Sequence, residues 1–246
     1  MTLAAWALAG LTAFAAATQT PVSLQDQQAA LDHYRRGQAL MFEESFDRAA
    51  AEFRRAVGID PLLTLAYYGL GQASMHLEMY PDAVAAFEGC RDAYLRIGEL
   101  ATRQSADAER RRDDEVRELR ETITAIRTGR VKVDQPQNAV LRLESRMSDL
   151  ERARQRGQET VTVPAEVSFS LGSAYFRSGR LAEAERGWKE AVDSHANFGE
   201  AWNNLAALYL MTERPKLADE AVKRAERAGF PVHPQLKADI RKAIGG

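Results

Sequence analysis

Residues 67–90 read YYGLGQASMHLEMYPDAVAAFEGC. The chain has residues of the same small or large type thirty-four positions before Gly71, Ala83, Phe87 and Cys90. The second half of the chain repeats the spacing twice more, again thirty-four residues apart. A fixed period of this length is typical of solenoids built from paired helices. The sequence therefore predicts an all-α protein of stacked helical units, in which a surface rather than a catalytic cleft carries the function.

Four units share one register. In each unit, a small residue in the first helix lets the second helix approach, and a large side chain fills the space between units. Apolar periodicity predicts first helices at about 30–42, 64–77, 165–178 and 199–212, and second helices at about 46–58, 81–94, 181–194 and 215–228. The residues in register are Gly37, Ala49, Phe53 and Ala56; Gly71, Ala83, Phe87 and Cys90; Gly172, Ala184, Trp188 and Ala191; and Ala206, Ala218, Val222 and Ala225.

This pattern resembles the tetratricopeptide repeat family, whose unit is W-x-x-L-G-x-x-Y…A-x-x-x-F…P. His33 and Ser168 stand where an aromatic residue is usual, and Ala196 stands where proline would close the third unit. The resemblance implies a right-handed α-solenoid whose first helices line a concave groove. It also implies a protein that binds other proteins or peptides.

An insertion separates the second unit from the third. Gly71 and Gly172 are 101 residues apart, one period and 67 residues more, and Phe87 and Trp188 show the same step. The phase is therefore intact on both sides of the insertion, which we place at 98–163. Apolar residues inside it follow two seams with the 3, 4, 3 spacing of a coiled coil. The seams are Val116, Leu119, Ile123 and Ile126, and Val140, Leu143, Met147 and Leu150.

The two seams mirror each other. The residue numbers of Val116 and Leu150 add to the same total as those of Ile126 and Val140. A constant total is expected when two antiparallel helices pair. Breakers between Thr128 and Pro136 supply the turn. We predict an antiparallel helical hairpin, the stalk, with Gly98 as the candidate for a kink. Its charged surface has two interpretations, a solvated face or a binding or dimerising surface.

The amino-terminal segment has the features of an export signal. Leu3 to Ala17 form an apolar run, shorter than the roughly 20 residues of a membrane span, that ends in Ala15-Ala16-Ala17. Small residues in this position are typical of a signal-peptide cleavage site, although a basic n-region is missing. We expect 1–17 to be a signal peptide and the protein to be periplasmic or secreted. The alternatives are a retained membrane anchor and an ordinary helix.

The rest of the chain divides around the insertion. A flexible lead-in at 18–25 precedes units one and two at 26–97, and units three and four occupy 164–231. Residues 232–246 read as a helix with Leu236, Ile240 and Ile244 on one face. Such a capping helix hides the apolar end that a repeat array would otherwise expose.

Composition excludes several kinds of function. A net charge of −2 gives no electrostatic footprint for nucleic acid. The 27 arginines against six lysines suggest a GC-rich bacterial genome. The single cysteine, Cys90, falls at a small-residue packing phase, and the four histidines lack metal-binding spacing. We therefore expect no cofactor, no metal, no small-molecule substrate and no enzymatic activity.

The first helices present one surface toward the expected groove. The register places aromatic, methionine and amide side chains there. It does not place there the charged side chains with which a groove could clamp a peptide carboxylate. Such a surface suits an apolar peptide segment whose backbone the amides bind; alternatively, some of these residues are inter-repeat core. The predicted groove residues are Tyr34, Gln38, Met41, Tyr68, Gln72, Met75, Phe169, Ser173, Phe176, Asn203, Ala207 and Leu210.

These observations favour a non-catalytic scaffold that binds a protein or peptide partner through the groove. The alternative is a structural protein that self-associates through the stalk, and a third interpretation is an accessory subunit with a ligand pocket. Contact with a membrane is expected only if the amino-terminal segment is retained.

Overall fold

The computed structural model describes residues 22–131, 136–155 and 161–245, so the predicted signal peptide lies outside the described residues. Within these ranges the chain is helical and contains no strand. The all-α solenoid is confirmed. Its helices are α1 (Leu24–Phe42), α2 (Phe46–Ile59), α3 (Thr64–His76), α4 (Tyr80–Arg127), α5 (Pro136–Gln155), α6 (Ala165–Arg177), α7 (Leu181–Ser194), α8 (Gly199–Met211), α9 (Pro215–Arg227) and α10 (Pro234–Gly245).

Helix α1 begins before the predicted lead-in ends. Ser23 caps it, because its side chain accepts a hydrogen bond from the backbone N–H of Asp26 at 3.1 Å. This contact satisfies a backbone donor that has no partner within the helix. The first helix of unit one is consequently longer than the first helices of the other units.

Consecutive helices form antiparallel pairs that pack closely. A Cβ atom added to Gly71 would lie 2.5 Å from the ring of Phe87, and one added to Gly37 would lie 2.6 Å from Phe53. Both rings are about 1% exposed. The glycines in register therefore provide the space into which the large residue of the same unit packs.

The solenoid continues across the insertion. Helix α6 packs against the first part of α4, and one cluster of buried residues runs from Ala83 to Ile240. The Tyr175 hydroxyl donates to Glu88, and the hydroxyls of Tyr68 and Ser170 lie 3.2 Å apart. Units two and three are thus neighbours in space although the stalk separates them in sequence.

Helix α4 runs without a break from the second unit into the stalk, and Gly98 does not interrupt it. Strong helix formers on both sides favour continuation. A Cβ atom at Gly98 would lie 3.0 Å from the carbonyl oxygen of Val161. Gly98 therefore allows the returning chain to cross close to the helix.

The stalk is formed by the distal part of α4 and by α5. Ile123, Ile126 and Val140 form a buried cluster against which Leu143 and Met147 pack. Leu150 is also buried, and Val116 and Leu119 are half-buried. Charged pairs flank this apolar seam and tie the two helices together at Arg127–Glu144 (2.8 Å), Arg146–Glu115 (2.9 Å) and Arg120–Glu151 (3.7 Å).

Helix α10 packs against α9 at the carboxy-terminal end of the array. Its residue Ile240 is 1% exposed and joins the main buried cluster together with Val232. In the part of the chain that the structure describes, no helix combines the length and the apolar character that crossing a bilayer requires.

Candidate functional site

Two adjoining depressions lie on the first helices of units one to three. One has a volume of about 410 Å³ and the other about 270 Å³, and Gln72 lines both. We call their combined surface the groove. Of the predicted residues, the first depression contains Tyr34, Gln38, Met41, Tyr68 and Gln72, and the second contains Gln72, Met75, Phe169 and Ser173.

The first depression lies between units one and two. The amide of Gln38 donates to the Tyr34 hydroxyl at 2.5 Å, and the Tyr34 ring lies 6.0 Å from that of Phe53. Burial raises the pKa of Tyr34, so its hydroxyl stays protonated at neutral pH. At the mouth of the depression, Phe42 is 90% exposed and Leu65 is 51% exposed. This part of the groove therefore combines aromatic rings and the Met41 side chain with two polar groups, the Tyr34 hydroxyl and the Gln38 amide.

The second depression lies between units two and three. Phe87 forms part of its lining, with the Tyr68 ring 5.6 Å away in an edge-on arrangement. The Phe169 ring packs at 4.9 Å from Phe198. At the margin, His76 stacks on Phe46 at 4.3 Å with nearly parallel rings. These contacts orient the rings of Tyr68, Phe169 and His76 before any ligand binds.

The four remaining predicted residues, Phe176, Asn203, Ala207 and Leu210, do not line either depression. The Phe176 ring packs 5.5 Å from Trp188, and Leu210 packs against the main buried cluster. Tyr68 and Phe169 also touch that cluster while remaining part exposed. At these positions, one side chain belongs both to the groove surface and to the inter-repeat core.

Besides the packing residues Phe53 and Phe87, sequence reasoning missed four side chains that line the groove. They are those of Phe42, Leu65, His76 and Ser170. Phe42 and His76 are thirty-four residues apart and directly follow the predicted Met41 and Met75. Widening the register by one residue would have found both.

Groups that could support chemistry are buried or dispersed. Cys90 is fully buried and its thiol donates to the carbonyl of Thr64 at 3.3 Å. Burial raises the pKa of this thiol to about 12, which keeps it un-ionised and unreactive at neutral pH. Among the described side chains, no group of three or more His, Cys, Asp or Glu is placed to hold a metal ion.

Solved structures of similar proteins include PilW, described as a widely conserved type IV pilus biogenesis factor. It is 15% identical, with a TM-score of 0.42 over 89% of this chain and 87% of PilW. YrrB, described as a TPR protein with an unusual peptide-binding site, is 17% identical, with a TM-score of 0.31 over 89% of this chain and 94% of YrrB. TTC0263, a thermophilic TPR protein of Thermus thermophilus, is 20% identical, with a TM-score of 0.33 over 87% of this chain and 98% of TTC0263.

No curated protein matches the sequence. The family model described as "Tetratricopeptide repeat" matches residues 34–94 and 169–231, about half of the chain. These two segments contain the repeat register and the groove residues, and they exclude the stalk. The chain belongs to the tetratricopeptide repeat family.

Proposed function

We propose that this protein is a non-catalytic scaffold that binds an extended segment of a protein partner in the groove. Proteins of this repeat family generally mediate protein–protein interactions. The observation that carries the proposal for this chain is the pair of adjoining depressions, which join units one to three into one surface.

The side chains of the groove suit the energetics of peptide binding. Half-buried aromatic rings lose little conformational entropy on binding and contribute large apolar contacts, as interface hot spots do. Met41 and Met75 have flexible, polarisable side chains that adapt to different apolar partners. The exposed amides of Gln38 and Gln72 are in position to bond the backbone of the bound segment.

Self-association through the stalk has less support than binding in the groove. Its seam residues already pack against each other within one chain, and the flanking charges are paired across the same two helices. A second copy would have to replace these contacts rather than cover an open apolar face. We therefore assign binding to the groove and regard the stalk as a separate projection.

Selection of peptides from a random displayed library tests the proposal. Peptides enriched on the native protein should lose at least about tenfold in affinity, measured by calorimetry, for Gln72→Arg. This variant places a long side chain where the two depressions meet, at an exposed position outside the core. Glu190→Gln, on the exposed surface of α7, is the control and should bind normally. Enriched peptides that bind all three proteins equally would contradict the proposal.

A further inference from the structure

Charges around the groove are arranged unevenly, and this arrangement bears on what the groove binds. Among the residues that the structure describes, the lining of the two depressions contains no Asp, Glu, Lys or Arg. Its histidine, His76, is stacked on Phe46. Carboxylates lie outside this lining, at equivalent positions in the later units and in the turns that follow α1 and α3.

Two glutamates continue the edge of the groove into units three and four. Leu65 lines the first depression, and Glu166 follows it by 101 residues, the step between units two and three. Glu200 follows Glu166 by thirty-four residues. Both glutamates are exposed, and neither has a hydrogen-bond or ion-pair partner within the described ranges. The edge that is aliphatic in unit two therefore carries unpaired negative charge in the next two.

The opposite edge is also acidic. Phe42 and His76 end α1 and α3, and Glu44 and Glu78 lie two residues beyond them in the connecting turns. Both carboxylates are exposed and have no partner among the residues described. Carboxylates thus occur near an end of the first helix in all four units, in the turns after α1 and α3 and in the first turns of α6 and α8.

One cation at an equivalent position in unit three is already engaged. Arg177 is the equivalent of His76 in unit three, and its guanidinium lies 4.8 Å from the centre of the Tyr80 ring. It also donates to the Tyr80 hydroxyl. A ligand that approaches the groove therefore meets carboxylates that lack a counter-charge.

We propose that the partner segment is cationic. Its apolar side chains contact units one and two, and its lysine or arginine side chains pair with Glu166 and Glu200. This inference rests on the proposed function and specifies the partner's chemistry. Neighbouring first helices are about 10 Å apart, and three residues of extended chain span about the same distance. Basic residues three positions apart would thus meet the two glutamates. Their carboxylates would also hasten encounter with a cationic segment.

Three fluorescein-labelled peptides test this inference by fluorescence anisotropy. The first contains Leu-Phe-Ser-Leu followed by Lys-Ala-Ala-Lys, with a version in reversed order because the groove could take either direction. The second has glutamate in place of both lysines, and the third has glutamine there. We expect the lysine peptide to bind at least about tenfold more tightly than the glutamate peptide at low salt, with the difference shrinking at about 0.5 M salt.

Variants of the protein locate the effect. Glu166→Gln and Glu200→Gln should each weaken the lysine peptide about threefold, and together about tenfold, while leaving the glutamine peptide unchanged. Glu190→Gln is the matched control and should change neither. Equal binding of lysine and glutamate peptides, unchanged affinity in the double variant, or no binding of either lysine peptide at millimolar concentration would overturn the inference. The library selection with Gln72→Arg judges the groove itself independently, because neutral peptides enriched there would uphold the proposed function and reject the cationic partner.

Discussion

At the scale of the residue, glycines have two different roles in this solenoid. Gly187 lies where α7 crosses α6, and a Cβ atom there would be 2.8 Å from the Cα of Gly172. Gly58 is exposed in α2 and has no atom within 4 Å of such a Cβ. One glycine is required by backbone contact, whereas the other only weakens its helix.

The two positions therefore predict opposite effects of the same substitution. Gly187→Ala should lower the free energy of unfolding by about 1–3 kcal/mol, because two helix backbones must separate. Gly58→Ala should raise it by up to about 1 kcal/mol through helix propensity. Urea unfolding followed by circular dichroism measures both, and two effects of equal sign would contradict the assigned packing.

Glu52 is a second residue with a measurable role. Hydrogen bonds with His33 and Arg36, at 2.8 and 2.9 Å, lower the pKa of its carboxyl to about 2, from about 4.3 in an unfolded chain. A lowered folded-state pKa stabilises the protein fully above the unfolded value, and this contribution is lost as the pH falls toward the folded value.

We expect the native protein to lose stability between about pH 5 and pH 2, and Glu52→Gln to lose less over the same interval. Glu43→Gln is the control, since Glu43 is exposed nearby without a partner in the described ranges. Melting temperatures measured at steps across this interval test the difference. Parallel curves for the native protein and Glu52→Gln would show that the pairing contributes nothing.

At the scale of the element, the stalk is an appendage of the solenoid. None of the described residues between 99 and 155 belongs to the main buried cluster, which passes directly from α4 to α6. Gly98 and Val161, at the two ends of this segment, lie close together, since a Cβ atom at Gly98 would be 3.0 Å from the carbonyl oxygen of Val161. A short linker can therefore join them without moving either repeat.

Replacing 99–160 by three or four glycines and serines should leave a folded helical protein with cooperative thermal unfolding. Removing a segment that packs mainly on itself does not expose the inter-repeat core. Peptides enriched on the full chain should bind the shortened protein with unchanged affinity. An unfolded circular dichroism spectrum would show that the stalk is part of the core after all.

Sequence patterns predicted the elements well where packing repeats. The thirty-four-residue step located the helix pairs, since small and large residues must alternate wherever one unit stacks on the next. The mirrored seams indicated a hairpin because Ile123, Ile126 and Val140 have no other apolar surface to meet. The uninterrupted α4 was not predicted, because a glycine needed for a close crossing looks the same in sequence as a glycine that breaks a helix.

At the scale of the whole molecule, the groove arises from stacking rather than from any one unit. The register identified most of its floor, but it could not separate groove from core at Phe176, whose ring turns to Trp188. That distinction depends on side-chain orientation between units. Phe42, whose side chain is 90% exposed, was missed because the predicted surface stopped one residue short of it, at Met41.

The most direct test of groove binding uses the methionines, which are distributed over the molecule. Met41 and Met75 line the groove, whereas Met147 lies in the stalk seam. With methyl-labelled methionine, NMR titration with the lysine peptide or a library-selected peptide should shift the Met41 and Met75 signals and leave that of Met147 in place. Shifts at Met147 with silent Met41 and Met75 would move the binding site to the stalk and contradict the proposed function.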